Sequence, residues 1–167
     1  KNYRPVSNLN FVSKLTEKAV ANQIKAHINT FKLDNPFQSA YKAFHSTETA
    51  LLSVQNDIFA AMESGEITAL TLLDLSAAFD TIDHQILLDR LRDWFGLCGN
   101  ALDWIASYLK NRYQSVCIGD LVSNPIELIF GVPQGSVLGP LLFIMYTTPL
   151  SSVLDSSKNI NHHLYAD

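Results

Sequence analysis

Two stretches near the start of the chain carry apolar residues at helical spacing. A third apolar stretch follows them and has the composition of a β-strand. Residues 13–31 form an apolar stripe with lysines opposite, and residues 46–65 form a second stripe between Ser46, a suitable N-cap, and Gly65, a suitable stop. Residues 67–75, ITALTLLDL, are instead rich in Ile, Thr and Leu, which favours a β-strand. The pattern therefore predicts two amphipathic helices and then a strand.

The middle of the chain continues with helical and then alternating patterns. Helical spacing covers residues 84–96 and 100–111, and glycines mark the break between them. Residues 113–131 alternate as in a β-hairpin whose turn lies near Gly119-Asp120. We expect two helices followed by an antiparallel hairpin.

The last part of the chain is punctuated by glycine and proline. Residues 131–150 run from a loop of this kind into an apolar helix, and residues 161–167 have the pattern of a short strand. Helices and strands that occur in separate groups favour an α+β fold rather than a doubly wound parallel sheet.

The composition is that of a folded globular chain, and its charge is unevenly distributed. Of the 167 residues, 47% are hydrophobic and 17% are charged, with a net charge of −4. Residues 1–42 carry seven Lys/Arg against two acidic residues, whereas residues 43–106 carry two Lys/Arg against ten acidic residues. A basic segment before an acidic one suits a chain that meets phosphates at one place and cations at another, although solvated helix faces explain the same numbers.

Two classes of protein are excluded by simple counts. No apolar run approaches the ~20 residues of a membrane span. Two cysteines, Cys98 and Cys117, are too few for a disulfide framework or a zinc site, and we expect both to be small core residues. Because the sequence starts without Met and stops within a predicted strand, we also expect a segment of a longer protein.

Three aspartates lie at or after the end of the predicted strand, and a fourth ends the chain. Asp80 and Asp83 lie just before a predicted helix, where N-capping is the ordinary role. Asp74 and Asp167 each end an apolar segment, so two strands of one sheet would bring both carboxylates together. Such a pair repels strongly unless a divalent cation lies between the carboxylates. A capping role remains the alternative for Asp74.

Residues 131–140, GVPQGSVLGP, form a loop suited to close contacts. Its three glycines permit close backbone approach or positive φ, and Gln134 offers both a donor and an acceptor at the loop tip. The Gly-Lys-Ser/Thr ending of a Walker loop is missing. A structural turn capped by Ser136 is the alternative to a ligand-binding loop.

Together these segments resemble the reverse transcriptase domain of LINE-type non-LTR retrotransposons. Residues 72–84, LLDLSAAFDTIDH, resemble the first catalytic-aspartate motif of that family, and residues 131–143, GVPQGSVLGPLLF, resemble its Pro-Gln-Gly nucleotide-site motif. Residues 164–167, LYAD, resemble the start of its Tyr-Ala-Asp-Asp box, and residues 3–20 and 37–52 resemble its fingers segments. The resemblance covers essentially the whole chain in the order of the family.

The resemblance implies positions for the catalytic and nucleotide-binding residues. Asp74 and Asp167 match the metal-binding aspartates, and the backbone carbonyl of Leu75 matches a further metal ligand. Phe79 matches the bulky residue that excludes a 2′-hydroxyl, so dNTPs are the implied substrates. The other matched positions of the nucleotide site are Gln134, Gly135 and Lys42.

By the same resemblance, the protein would be an RNA-directed DNA polymerase that transfers dNMP to a DNA primer on an RNA template, in the nucleus and at chromosomal target sites. Its cofactors would be two Mg²⁺ ions, for which Mn²⁺ could substitute. The implied fold is a right-hand polymerase, with residues 1–66 mainly in the fingers and residues 67–167 mainly in a palm whose antiparallel sheet is flanked by helices. The sequence would stop within the Tyr-Ala-Asp-Asp hairpin, leaving the remaining palm and the thumb to the parent polyprotein. We therefore expect negligible polymerase activity from this segment alone.

Two other interpretations stay open. The chain could be a non-catalytic remnant that binds nucleic acid or protein, since Ala43 and Phe44 replace a more usual basic residue and glycine in the fingers. It could also be a related polymerase such as a group II intron maturase or a retron enzyme. The LINE type matches residues 76–84 and 131–143 more closely.

Overall fold

The computed structural model describes residues 6–75, 77–157 and 160–165. The chain divides into two compact units, each built from two segments. Unit 1 comprises Lys1–Leu33 and Ala77–Tyr146, and unit 2 comprises Asp34–Ser76 and Thr147–Asp167.

The described residues form helices and short antiparallel strands, as expected for an α+β chain. In chain order, the helices are α1 (Phe11–Phe31), α2 (Thr47–Glu63), α3 (His84–Asp93), α4 (Asn100–Leu109), α5 (Gly139–Thr147) and α6 (Pro149–Asp155). The strands are β1 (Tyr113–Gln114), β2 (Cys117–Ile118), β3 (Leu121–Val122) and β4 (Ile126–Glu127). None of the described helices has the length and apolar character that a bilayer span requires.

The predicted helices are confirmed, and side-chain caps define where several of them begin. The Asn10 side chain accepts a hydrogen bond from the Ser13 amide at the start of α1. Ser46 and Thr49 form a reciprocal capping box at the start of α2. Gly65, with φ of +75°, follows the end of α2 and provides the predicted stop.

The core of unit 1 comes from apolar side chains of its helices. α1 buries one face, and α3 packs against α4. The apolar side chains that are least exposed in α3, α4 and α5 are Leu87, Leu91, Ile105, Leu109, Leu142 and Met145. Full burial of one such side chain contributes about 1.5–3 kcal/mol. This core therefore anchors the helices on either side of the Gly- and Pro-rich loop.

The predicted hairpin is confirmed, but its surroundings overturn the expectation for the cysteines. β2 pairs with β3 around Gly119-Asp120, and β1 pairs with β4, both antiparallel. Every residue of these four strands is exposed. Cys117 is exposed on β2, and Cys98 is exposed in the break between α3 and α4. The core prediction was wrong for both cysteines. Cys117 lies in strands that are exposed throughout, and Cys98 is exposed although its neighbour Leu97 is buried.

The strand predicted at residues 67–75 is wrong. These residues have no regular structure and are exposed, including Leu72 and Leu73 at 84% and 85%. A strand needs a hydrogen-bonded neighbour, and the described residues near the end of the chain do not supply it. Leu164 instead forms a single parallel bridge with Gln38, so the predicted strand at residues 161–167 is reduced to that bridge in its described part.

Unit 2 is held together mainly by polar contacts in its described part. Its buried residues are Asn35, Gln38, Ala40, Ser151 and His162. Asn35 donates from Nδ2 to the Ser151 hydroxyl at 2.7 Å. α2 buries none of its residues, so its apolar stripe contributes little to the stability of unit 2.

Candidate active site

The loop of residues 131–140, here called the Gln134 loop, is hydrogen-bonded to the turn that contains Phe79, here called the Phe79 turn. The Gly131 amide donates to the Ile82 carbonyl at 2.8 Å, and the Val132 amide donates to the Phe79 carbonyl at 2.8 Å. The His84 Nε2 lies 2.7 Å from the Gly131 carbonyl oxygen. Two motifs that are distant in sequence therefore form one rigid element in unit 1.

Gly131 lets the two segments approach closely. Its φ is +83°, and a Cβ at this position would lie 2.9 Å from the Cα and the carbonyl oxygen of Asp80 and from the carbonyl oxygen of Phe79. All three atoms belong to the backbone, which cannot move aside as a flexible side chain can. A side chain at this position would therefore push the loop away from the Phe79 turn.

We expect Gly131→Ala to lower the free energy of unfolding by about 3 kcal/mol, from positive φ and the backbone clash together. Gly96→Ala is the matched control, because Gly96 also has a positive φ of +65° but a Cβ there meets no atom within 4 Å. The control should lose only about 1 kcal/mol. Denaturant unfolding measures the free energy of unfolding of both variants. Equal decreases would show that the close backbone approach at Gly131 does not add to the effect of positive φ.

Gln134 and Asp80 contact each other at the tip of the loop. Gln134 donates from Nε2 to a carboxylate oxygen of Asp80 at 3.0 Å, and its backbone carbonyl accepts from the Ser7 amide at 2.9 Å. The capping role predicted for Asp80 is therefore wrong, because this carboxylate turns toward the loop. Asp83 does cap α3, accepting from the Ile86 amide at 2.9 Å, so its predicted role is confirmed.

The loop is also an ordinary structural turn, as the alternative interpretation predicted. The Ser136 hydroxyl accepts from the Gly139 amide at 2.8 Å at the start of α5. Gly135 is exposed and has φ of +87°. A well-formed turn and a ligand-binding loop are compatible, since the turn holds the exposed Gly135 backbone and the Gln134 side chain in fixed positions.

Phe79 is half-buried, and its ring packs against α5. Its ring centroid lies 5.2 Å from that of Phe143, with the planes tilted by 37°. Phe143 is buried, so it offers a fixed surface against which the Phe79 ring rests. The structure thus brings Phe79, Gln134 and Gly135 together within unit 1.

The remaining predicted site residues belong to unit 2. Asp74 and Leu75 are exposed in the irregular segment that precedes residue 76. Lys42 donates from Nζ to Asp34 at 2.8 Å and to the Asn35 carbonyl at 3.3 Å. The hydrogen bond from Lys42 lowers the pKa of the Asp34 carboxyl below its usual value. Asp167 lies outside the described residues.

The donor chemistry of the site fits a magnesium ion. Asp74 offers carboxylate oxygens and Leu75 a carbonyl oxygen, which are the ligand types that Mg²⁺ prefers. Within the described ranges, no three His, Cys, Asp or Glu side chains form a group that could hold a metal. The metal-binding roles of Asp74 and of Asp167, which lies outside the described residues, therefore stay predictions.

Sequence reasoning missed three contacts that shape the loop. Asp80 bonds to Gln134, His84 bonds to the Gly131 carbonyl, and Glu17 bonds to the Val137 amide. The first two had no local signal, because they join residues far apart in sequence. Glu17 did have a local signal in the sequence, because it is an acidic residue within the apolar stripe of α1. It lies on the same face as Ala21, Ile24 and Ile28.

Comparison with known proteins adds independent information. The sequence matches the family described as Reverse transcriptase (RNA-dependent DNA polymerase) over residues 1–167. It is 31% identical over 148 residues to the probable RNA-directed DNA polymerase from transposon BS of Drosophila melanogaster, covering 89% of this chain and 16% of that protein. It is 33% identical over 150 residues to the corresponding X-element protein of the same species, covering 87% of this chain and 16% of that protein.

A third relative comes from another species. The Pol polyprotein from the type-1 retrotransposable element R2 of Popillia japonica is 34% identical over 86 residues, covering 52% of this chain and 14% of that protein. The chain spans about a sixth of the length of the two Drosophila relatives. The resemblance to LINE-type retrotransposon enzymes is confirmed by these relatives, and the chain belongs to the reverse transcriptase (RNA-dependent DNA polymerase) family.

Proposed function

We propose that the chain forms part of an RNA-directed DNA polymerase that adds dNMP units to the 3′-hydroxyl of a DNA primer paired with an RNA template. The docking of the Gln134 loop on the Phe79 turn is the observation that carries this proposal. It places an aromatic ring and an exposed glycine backbone on one rigid element, as a site for a nucleotide requires. Primer extension on an RNA template tests it.

Asp74, Asp167 and the Leu75 carbonyl are the residues that would hold the two metal ions, with Mg²⁺ as the expected ion and Mn²⁺ as a substitute. When bound, these ions stabilise negative charge on the primer 3′-oxygen and on the pyrophosphate leaving group. The exposure of Asp74 supports this role, because a ligand carboxylate must be open to the incoming ion and triphosphate.

Phe79 would select the sugar of the incoming nucleotide. Its ring, resting on Phe143, would lie where a ribose 2′-hydroxyl needs space. Gln134 and Gly135 would contact the base pair and sugar from the loop side, and the Asp80 carboxylate would hold the Gln134 amide in place. These residues discriminate by shape, so little readout of template sequence is expected.

Lys42 would bind the triphosphate of the incoming dNTP, and Asp34 would compete with it. The Lys42 ammonium now pairs with the Asp34 carboxylate at 2.8 Å, with both side chains partly exposed. An exposed pair of this kind is worth about 0.2–1 kcal/mol. The pair is weak enough to open when a triphosphate offers more negative charge.

We expect Asp34→Asn to tighten dNTP binding about two- to threefold, because the substitution releases Lys42 from its carboxylate partner. Fluorescence titration of a labelled dNTP measures the dissociation constant. Lys42→Gln should weaken binding in the same assay, and the double variant should match Lys42→Gln. An unchanged constant in Asp34→Asn would remove Lys42 from the proposed triphosphate contact.

The proposed setting follows from the resemblance to LINE-type reverse transcriptases. The protein would act in the nucleus on chromosomal target sites, with the fingers and palm of a right-hand polymerase formed here and the remaining palm and the thumb supplied by a longer parent protein. Residues 1–66 would lie mainly in the fingers and residues 67–167 mainly in the palm. The 16% coverage of two relatives is compatible with this arrangement.

A non-catalytic binding module is the second candidate function. The exposed apolar side chains of α2 and of residues 67–75 favour it, since such surface is typical of interaction sites. The two candidates differ in their response to metal. Mg²⁺-dependent dNTP binding that is lost in Asp74→Asn would support the polymerase, whereas a binding module would not respond to that substitution.

A further inference from the structure

We propose that Glu17 is a positioning residue for the Gln134 loop (residues 131–140). Its buried carboxylate holds the backbone that directly follows Gln134 and Gly135, so that dNTP binding depends on Glu17. The inference rests on the proposed function, because Glu17 would hold in place the loop that is proposed to contact the incoming nucleotide. The hydrogen bonds of Glu17 are the evidence for it.

Glu17 is a buried charged residue whose carboxylate accepts three hydrogen bonds. It lies on the buried face of α1 and is only 1% exposed. One carboxylate oxygen accepts from the Val137 amide at 2.7 Å and from the Leu138 amide at 3.2 Å. The other oxygen accepts from the Ser13 hydroxyl at 3.2 Å. Burial of a carboxylate is unfavourable unless such donors surround it, so these bonds specify the arrangement.

The two amides that Glu17 binds lie directly between the loop tip and α5. On either side of them the loop satisfies its own donors: the Ser136 amide donates to the Pro133 carbonyl, and the Gly139 amide donates to the Ser136 hydroxyl. The amides of Val137 and Leu138 instead depend on a side chain from α1. The Glu17 carboxylate thus connects α1 to the Gln134 loop through these two hydrogen bonds.

The negative charge of Glu17, as well as the length of its side chain, contributes to its hydrogen bonds with the loop amides. Amides at the start of a helix carry partial positive charge, and hydrogen bonds to a carboxylate are about twice as strong as those to a neutral acceptor. The Tyr108 hydroxyl is buried nearby, and burial is the main reason that its pKa is raised. A low-polarity surrounding of this kind strengthens the bonds that Glu17 makes.

Glu17→Gln tests the role with nearly the same shape and no charge. In the parent protein, meaning the longest natural protein that carries this sequence, we expect KM for dNTP to rise about tenfold. The kcat and the KM for primer–template should stay within about twofold. Glu127→Gln is the matched control, because it makes the same chemical change at an exposed residue of β4 outside the proposed site, and its KM for dNTP should be unchanged.

Two further readouts separate positioning from stability alone. Hydrogen exchange at the Val137 and Leu138 amides should accelerate in Glu17→Gln, while the amides of α3 and α4 keep their protection. The effect on KM should also shrink when Gln134→Ala is already present, since both substitutions act through the same loop. If Glu17→Gln does not fold, Glu17→Asp replaces it, with KM expected to rise about threefold from its shorter reach.

The outcomes distinguish this inference from the proposed function. A wild-type protein that neither binds dNTP nor extends a primer contradicts the proposed function before any variant is compared. A competent wild type with an unchanged KM for dNTP in Glu17→Gln overturns the role of Glu17 alone, even if the variant melts earlier. Accelerated exchange together with the raised KM supports the role.

Discussion

Asp74→Asn is expected to slow nucleotide addition in the parent protein by at least about a thousandfold. A metal-binding carboxylate supplies several kcal/mol of transition-state stabilisation, and each 1.4 kcal/mol corresponds to about a factor of ten in rate. Asn keeps the size of the side chain but lacks the negative charge that a divalent ion needs. Because Asp74 is exposed and lies in an irregular segment, the substitution should leave the free energy of unfolding nearly unchanged. Single-turnover addition of one dNTP measures the rate.

Asp83→Asn is the matched control for this substitution. It makes the same chemical change nine residues further along, at the N-cap of α3, where Asn serves about as well as Asp. The rate of nucleotide addition should therefore stay within about twofold of wild type. Comparable losses in both variants would indicate a general effect of acidic charge and would remove Asp74 from the proposed metal site.

Phe79→Val is expected to increase the use of rNTP relative to dNTP by about a hundredfold, since a pocket that rejects a ligand by shape loses discrimination of this order when the blocking group is removed. The ring rests on the buried Phe143, and Val leaves the space that a 2′-hydroxyl needs. The ratio of kcat/KM for an rNTP and the matching dNTP on one template measures the change.

Two controls separate the sugar effect from packing. Phe79→Tyr keeps an aromatic ring and should keep the discrimination of wild type. Phe143→Leu weakens the same ring pair from the other side, so it should lower stability while leaving the ratio within about threefold. If Phe79→Val uses rNTP no better than wild type, Phe79 is not the residue that excludes the 2′-hydroxyl.

Local patterns predicted most of the helical structure. Capping residues such as Ser46 and Asp83 act within three residues of their partners, so sequence reading finds them. The turn at Gly119-Asp120 was predicted on the same local basis. Short-range chemistry therefore accounts for where the helices and the hairpin lie.

Long-range pairing is where sequence reading failed. Residues 67–75 have strand propensity, but propensity without a hydrogen-bonded neighbour does not make a strand. The Asp80 carboxylate bonds to Gln134, which is 54 residues away, instead of capping the nearer helix α3. For the candidate site, the family resemblance predicted roles for Phe79 and the Gln134 loop, and only the structure showed that the two segments are joined by hydrogen bonds.

RNA-templated primer extension by the parent protein tests the central proposal most directly. The reaction holds a DNA primer annealed to an RNA of defined sequence, dNTPs and Mg²⁺, with Asp74→Asn and a template-free mixture as controls. We expect the wild type to make DNA complementary to the RNA and both controls to make none. A folded wild type that extends no primer under these conditions would contradict a polymerase and would favour the non-catalytic binding module.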